Sequence, residues 1–169
     1  MQRKWIEDLD SWNGFSYLRL KGVPMRKSIN GGVIGIDEAK LERFVAVEIL
    51  KNPVPIFGKE LSLFRKVTGL SLNKFGQRLG VTSGAVFYWE KAAKQKLGPM
   101  IAVAVRTLCA EELGVELHLS YSSMVGYNHH DPVDVIISGR KPNKKRYKTK
   151  TVLKPSYRGD RKIKVRVQM

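Results

Sequence analysis

The chain has 169 residues, of which 43% are hydrophobic, and its 31 Lys+Arg against 15 Asp+Glu give a net charge of +16. This length suits one ordinary domain or a small domain with appendages, and the charge favours a polyanionic partner. No apolar run reaches the roughly 20 residues that span a bilayer, and the first residues lack the apolar core of an export signal. These features predict a cytoplasmic protein that does not contact a membrane. The single cysteine, Cys109, excludes an intramolecular disulfide.

Residues 1–53 predict a small N-terminal part that contains both strand and helix. Alternation of apolar and polar residues predicts strands over 15–23 and 33–36, joined through a glycine-rich turn. Asp37 is the expected N-cap of a helix that ends before Pro53. The expected structure is a β-hairpin followed by one helix.

Residues 54–114 predict a helical domain. Apolar residues at helical spacing, interrupted by glycine turns, predict helices over 59–67, 71–78, 82–92 and 99–113. Cys109 lies among apolar residues of the last of these helices, which predicts a packed core thiol.

The second and third of these helices have the spacing of a helix-turn-helix. Gly76 allows a close helix crossing, Gly80 takes a positive φ in the turn, and Thr82 caps the next helix. Val86 and Trp89 then face inward. In a helix-turn-helix the start of the third helix enters the major groove. A plain helical bundle shares the apolar spacings but does not need all of these residues at matching offsets.

The segment resembles the Cro/cI-type (XRE) helix-turn-helix family. The residues in register with the family pattern are Phe64-Arg65, Gly69-Leu70-Ser71, Leu79-Gly80-Val81-Thr82, Val86 and Trp89-Glu90. The resemblance implies a structural ion pair between Arg65 and Glu90. The chain departs from the family at Leu72, Gly76, Phe87 and Tyr88, where glutamine, alanine, a polar residue and arginine are usual.

More distantly, the order of the parts resembles antitoxin-like bacterial regulators. The similar residues outside the motif are Tyr17 to Val23 and Phe57 to Glu60. The resemblance implies repression of the protein's own operon and a toxin as a further partner. Those relatives often bind zinc through cysteines that this chain lacks.

The predicted DNA contacts lie at the start of the second helix, along the third helix and in the C-terminal tail. The aromatic side chains among them have a second interpretation, in which they pack on the N-terminal part or at a dimer interface. Lys96 is a further expected phosphate contact. The predicted set is Ser71, Asn73, Lys74, Thr82, Ser83, Gly84, Ala85, Phe87, Tyr88, Lys91, Lys94, Lys144, Lys145, Arg146 and Lys148.

The C-terminal third is divided into two parts by its charge. Residues 115–139 predict a short β-like extension, with strands over 115–121 and 132–138. Residues 140–169 carry thirteen basic residues against one acid, which is +12 of the +16. This basic tail is predicted to be largely disordered when free, with an edge strand over 162–167. It has two interpretations, a solvated tail or a nucleic-acid arm.

The predicted fold class is therefore mainly α. It consists of a four-to-five-helix Cro/cI-like helix-turn-helix domain, a small N-terminal β-hairpin/helix part and a basic, largely disordered tail. The expected function is sequence-specific binding of double-stranded DNA by a transcriptional regulator, with homodimers repressing their own operon. The alternatives are an antitoxin or adaptor that binds a protein, and an RNA-binding protein that uses the tail. No enzyme, cofactor or metal site is expected, because His129-His130 lacks a third ligand at fixed spacing.

Overall fold

A computed structural model describes residues 4–125, 131–138, 149–152 and 165–168. The chain forms two compact units, of which one comprises residues 1–41 and 132–169 and the other residues 42–131. We call them the sheet unit and the helical unit. No helix of the described ranges combines the length and apolarity needed to cross a membrane.

The sheet unit is built around one long central strand. This strand pairs antiparallel with the strand before it and the strand after it, and parallel with a strand from far along the chain. Alternating side chains of the central strand, including Leu18 and Leu20, are fully buried. The strands are β1 (Lys4–Leu9), β2 (Leu18–Ser28), β3 (Gly31–Ile34) and β4 (Val133–Ile136).

Gly22 divides β2 into two halves with different neighbours. Residues 18–21 pair with β4, whereas residues 25–28 pair with β3. Gly22 has a φ of +68°, and a Cβ there would lie 2.2 Å from the Ser138 carbonyl oxygen. Its amide donates to Asp8 at 2.8 Å, and its carbonyl accepts from the Ser138 hydroxyl at 2.8 Å. Only glycine suits this position, because both the φ and the close backbone exclude a side chain.

The prediction of a mainly α fold with a small N-terminal hairpin is wrong, because the structure contains a four-stranded mixed sheet with long strands. Two features of the sequence made this sheet difficult to predict. The predicted first strand stops at residue 23, before Pro24, since proline lacks the amide that a central strand normally donates. Pro24 is tolerated because it lies between the halves that pair with β4 and β3. β1 was not predicted, because its charged residues interrupt the alternation of apolar and polar residues that indicates a strand.

The C-terminal third also differs from its prediction. Residues 115–120 form no strand, and a short helix, α6 (Tyr121–Val125), follows them. Val115, Leu117 and Leu119 are nevertheless more buried than the residues between them, so the alternation reflects an extended segment without strand partners in the described chain. The predicted strand over 132–138 is confirmed as β4. In the tail, β5 (Thr149–Val152) pairs antiparallel with β6 (Val165–Gln168).

The first five helices follow their prediction closely. Asp37 accepts a hydrogen bond from the Lys40 amide at 3.0 Å, which confirms it as the cap of the first helix. Each later helix begins and ends within one residue of its predicted bounds. The helices are α1 (Glu38–Lys51), α2 (Gly58–Thr68), α3 (Leu72–Leu79), α4 (Ser83–Lys91) and α5 (Pro99–Leu113).

Arg106 of α5 is the largest fully buried side chain of the described residues, with 1% exposure. Its Nη1 donates to the carbonyl oxygens of Ile49, Leu50 and Asn52 at 2.7–3.0 Å, and its Nη2 donates to that of Val54 at 2.7 Å. The last carbonyls of a helix have no partner within the helix, and the helix dipole favours a cation there. Arg106 therefore fastens α5 to the end of α1.

Cys109, one turn of α5 away from Val105, is fully buried as predicted for a core thiol. Burial raises the pKa of its thiol to about 12, with a further contribution from the nearby Glu112 carboxylate. A thiol in this state is an inert packing group, because the reactive form of cysteine is the thiolate.

Candidate nucleic-acid interface

α3 and α4 are consecutive helices joined by a short turn that contains Gly80. Gly80 in the turn has a φ of +71°, as expected. Gly76 is buried, and a Cβ there would lie 2.8 Å from the Val81 carbonyl oxygen and 3.1 Å from the Thr82 carbonyl carbon. The close approach thus joins α3 to the turn and the start of α4. Any larger residue at position 76 would push α4 away from α3.

Two of the hydroxyl side chains in the predicted set, those of Ser71 and Thr82, act as helix caps. Ser71 Oγ accepts from the Lys74 amide at 3.3 Å, and Thr82 Oγ1 accepts from the Ala85 amide at 3.2 Å. Both residues are exposed. Each hydroxyl keeps its own proton, which a phosphate oxygen can accept, so the capping role is compatible with the predicted DNA contact.

The ion pair between Arg65 and Glu90 is confirmed. Arg65 Nε lies 2.6 Å from Glu90 Oε1, and Nη2 donates to Oε2 at 3.0 Å. Arg65 Nη1 also donates to the Leu70 carbonyl at 3.2 Å. The hydrogen bond to Glu90 raises the pKa of the guanidinium. This two-point contact joins α2 to the end of α4 and fixes the direction in which α4 points.

The outward side of α4 is formed by four residues. At 3.6 residues per turn, Gly84, Phe87, Tyr88 and Lys91 project to the same side, and all four are exposed. The opposite side carries Val86, which is fully buried. We call the four outward residues the reading surface.

Phe87 and Tyr88 are unusually exposed for aromatic residues, at 49% and 64%. Lys91 Nζ lies 5.3 Å from the centre of the Phe87 ring, which is a cation–π contact between two side chains of the reading surface. With these exposures neither ring is buried in the core of the described chain. Contact with a binding partner, either DNA or a second protein chain, is therefore the interpretation we pursue for both rings.

Gly84 differs from the other helical glycines of the unit. A Cβ at Gly58 or Gly76 would meet backbone oxygens at 2.0 and 2.8 Å, whereas at Gly84 it would meet only Thr82 Oγ1 at 3.8 Å. Its backbone does not need glycine either, since its φ is not positive. Glycine inside a helix costs about 0.5–1 kcal/mol relative to alanine. The fold therefore gives no reason for Gly84, and close approach of a partner would.

The charges of residues 54–114 are divided between scaffold and surface. All four acids in this range are engaged in holding helices. Glu60 accepts from the Phe57 amide at 3.0 Å, and Glu90 pairs with Arg65. Glu111 and Glu112 both pair with Arg78, which ties α5 to α3. Arg78 was not singled out from the sequence, although the adjacent glutamates on α5 were a signal that could have indicated it.

The cations around the reading surface have no such partners. Lys74, Lys91 and Lys94 are exposed, and none of them has a carboxylate within ion-pair distance in the described part of the chain. No acid occurs between Glu60 and Glu90 in the sequence. The side of the unit that carries the reading surface is therefore positive and is not neutralised by carboxylates.

The remaining predicted residues are distributed as follows. Asn73 is exposed on α3, while Ser83 and Ala85 are half-buried at the start of α4. Lys96 is also half-buried. The tail residues Lys144, Lys145, Arg146 and Lys148, together with His129 and His130, lie outside the described residues.

No protein-family model matches the chain, and no curated protein or solved structure shows significant similarity to it. The physical arrangement of the residues therefore carries the functional argument.

Proposed function

We propose that this chain is a cytoplasmic, sequence-specific DNA-binding transcriptional regulator in which α4 enters the major groove. The observation that carries the proposal is the reading surface, which is held rigidly by Gly76 and the Arg65–Glu90 pair and is bordered by cations without acids. A helix presented in this way fits the width of the major groove.

The two kinds of residue around α4 have different roles in this proposal. Lys74, Lys91 and Lys94 contact phosphates, which contribute affinity without reading sequence. Ser83, Ala85 and Tyr88 face base edges. Ala85 offers an apolar contact to a thymine methyl group, and the hydroxyls of the other two offer hydrogen bonds. Gly84 lets the helix backbone approach the groove closely.

One recognition helix reads only a few base pairs, so the proposal includes a homodimer on a symmetric site. The natural site is DNA upstream of the protein's own gene, where binding would repress transcription. Such a repressor needs no cofactor or catalytic group.

The test is fluorescence anisotropy with upstream duplex and with a scrambled duplex, over a salt series. Lys91→Ala should weaken binding to both duplexes equally and lower the slope of log K against log salt by about 0.9. Tyr88→Ala should reduce the preference for upstream DNA, because each good base contact contributes about 1–3 kcal/mol of discrimination. Lys51→Ala removes the same charge from α1 and is the matched control, with no expected change.

Equal losses on both duplexes for Tyr88→Ala and Lys91→Ala would contradict the assignment of sequence reading to Tyr88. Unchanged binding in both variants would contradict the role of α4 altogether.

A second candidate is a protein-binding antitoxin or adaptor, and the exposure of Phe87 and Tyr88 favours it. Aromatic side chains are enriched at protein interfaces, where they act as anchors. Phe87→Ala separates the two candidates. Loss of DNA binding with unchanged mass in analytical ultracentrifugation supports DNA contact, whereas full DNA binding by the variant supports a protein partner for the exposed ring.

A further inference from the structure

The turn between β2 and β3 places one apolar side chain at the tip of a hairpin. Ser28 pairs with Gly31, which leaves Ile29 and Asn30 as a two-residue turn. Ile29 has a relative exposure of 102%, the highest among the exposed large hydrophobic residues of the described chain. Its side chain therefore contributes nothing to the core of the sheet unit.

Three cations lie beside this turn. Lys4 of β1 stands directly opposite Arg26 of β2, and directly opposite residues point to the same face of a sheet. Like charges in this arrangement repel and destabilise the sheet slightly. Lys27 is also exposed. Among the described residues, none of the three has an ion-pair partner.

The acids of the sheet unit that pair with cations are used at the first half of β2. Asp134 Oδ1 lies 2.6 Å from Arg19 Nε, and Asp8 Oδ2 lies 3.9 Å from Lys21 Nζ. Asp8 also accepts from the Gly22 amide. The half of β2 that leads into the turn thus keeps its positive charge, and it ends in a fully exposed isoleucine. We call Lys4, Arg26, Lys27 and Ile29 the basic turn.

We propose that the basic turn is a second DNA-binding element, in which its cations contact phosphates and Ile29 enters the minor groove as an apolar wedge. Apolar side chains inserted between base steps unstack them and bend the duplex, while flanking cations hold the backbone. The choice of duplex DNA as the polyanion rests on the proposed function. An anionic membrane fits less well, because one isoleucine buries too little apolar area to hold the chain there.

The experiment uses the full chain and an A·T-rich duplex labelled at its two ends with a donor and an acceptor dye. Anisotropy over a salt series gives affinity, and energy transfer between the ends reports bending. The charge variant is Arg26→Gln/Lys27→Gln, with Arg19→Gln on the same strand as control. The wedge variant is Ile29→Ser, with Ile136→Ser as control, since Ile136 on β4 is 70% exposed. Thermal melting checks that each variant folds.

The double charge variant should lower the slope of log K against log salt by about 1.8, because about 0.9 is lost for each phosphate contact. Ile29→Ser should leave this slope unchanged, weaken binding severalfold and abolish the bend. Both controls should behave as the unchanged chain. The inference is overturned if the charge and wedge variants match their controls, or if Ile29→Ser loses binding to phosphatidylglycerol vesicles while duplex binding is unchanged.

Lys91→Ala in the same assay separates this inference from the proposed function. If only Lys91→Ala loses duplex binding, the proposed role of the basic turn is overturned and the role of α4 stands. A loss only in the basic-turn variants supports the inference and contradicts the role of α4.

Discussion

The helical unit and the sheet unit differ in the partners that they provide for buried charged side chains. In the helical unit Arg106 donates to four carbonyl oxygens, and Glu42, which is 4% exposed, pairs with Lys66 at 2.6 Å. In the sheet unit the buried Glu7 has only an indole donor, Trp5 Nε1 at 3.2 Å, among its described hydrogen bonds. Burial accordingly raises the pKa of the Glu7 carboxyl.

The difference follows from what each architecture offers to a charge. A helix end presents several carbonyl groups that no other part of the helix satisfies, so a buried guanidinium finds acceptors there. A sheet interior has already used its backbone groups in the ladder. The buried charged side chains Arg106 and Glu42 thus hold segments of the helical unit together, whereas the buried Glu7 of the sheet unit has no comparable partner among its described contacts.

The largest effect should come from Arg106→Ala. The substitution removes a donor from four carbonyl oxygens and leaves those of Leu50 and Val54 without a described partner, and we expect a loss of about 3–5 kcal/mol in the free energy of unfolding. Urea denaturation followed by circular dichroism measures it. Thr107→Ala, the exposed neighbour on α5, is the control and should change stability by less than about 0.5 kcal/mol. Similar losses of unfolding free energy for both variants would contradict the structural role of buried Arg106.

An intermediate effect should come from the ion pairs. Glu90→Gln leaves Arg65, whose side chain is 25% exposed, without its carboxylate, and we expect a loss of about 2 kcal/mol. Asp134→Asn breaks the Arg19 pair, whose side chains are 44% and 47% exposed, and should cost less than about 1 kcal/mol. The same denaturation experiment compares the two variants. An equal or larger loss for Asp134→Asn would contradict the expectation that the Arg65–Glu90 pair contributes more to stability than the Arg19–Asp134 pair.

The smallest effect concerns pH. The pKa of Glu7 is raised in the folded chain, first by burial and then by the Asp8 charge, against a hydrogen bond from Trp5 that lowers it. The folded state therefore holds the Glu7 proton more tightly than the unfolded state. This contribution to stability is complete below the usual value of 4.5 and is lost as pH rises through the raised pKa.

Glu7→Gln should thus raise the melting temperature at neutral pH and leave it nearly unchanged in acid. Melting curves over a pH series measure this, with Asp10→Asn as the exposed control. If Glu7→Gln destabilises the chain at neutral pH, the ionised carboxylate has a favourable partner and the contrast between the units weakens.

The elements predicted correctly depend on short stretches of chain. The predicted caps at Asp37 and Thr82 act on amides three residues away. The turn at Gly80 requires only a local backbone conformation. The Arg65–Glu90 pair, which only the family resemblance implied, joins residues 25 positions apart within three successive helices. Such signals are visible in the sequence because the residues that cause the structure lie inside the element or next to it.

The errors concern elements whose partners are distant. β4 pairs with β2 through Leu18 and Val133, which are separated by most of the chain, and no local pattern specifies that pairing. The same distance separates Gly22 from Ser138, the residue that makes glycine necessary there. Arg106 likewise is invisible as a cap, because its acceptors lie more than 50 positions earlier.

The sequence by itself determined α1 to α5, the caps at Asp37 and Thr82, the turn before α4 and the excess of positive charge, because these depend on spacing and composition. Only the tertiary structure decided which strand completes the sheet and which charges are buried. It also decided which cations are left without acids at the reading surface and the basic turn. Those outcomes depend on side chains from distant segments meeting in space, and the free energy of burial and ion pairing is set where they meet.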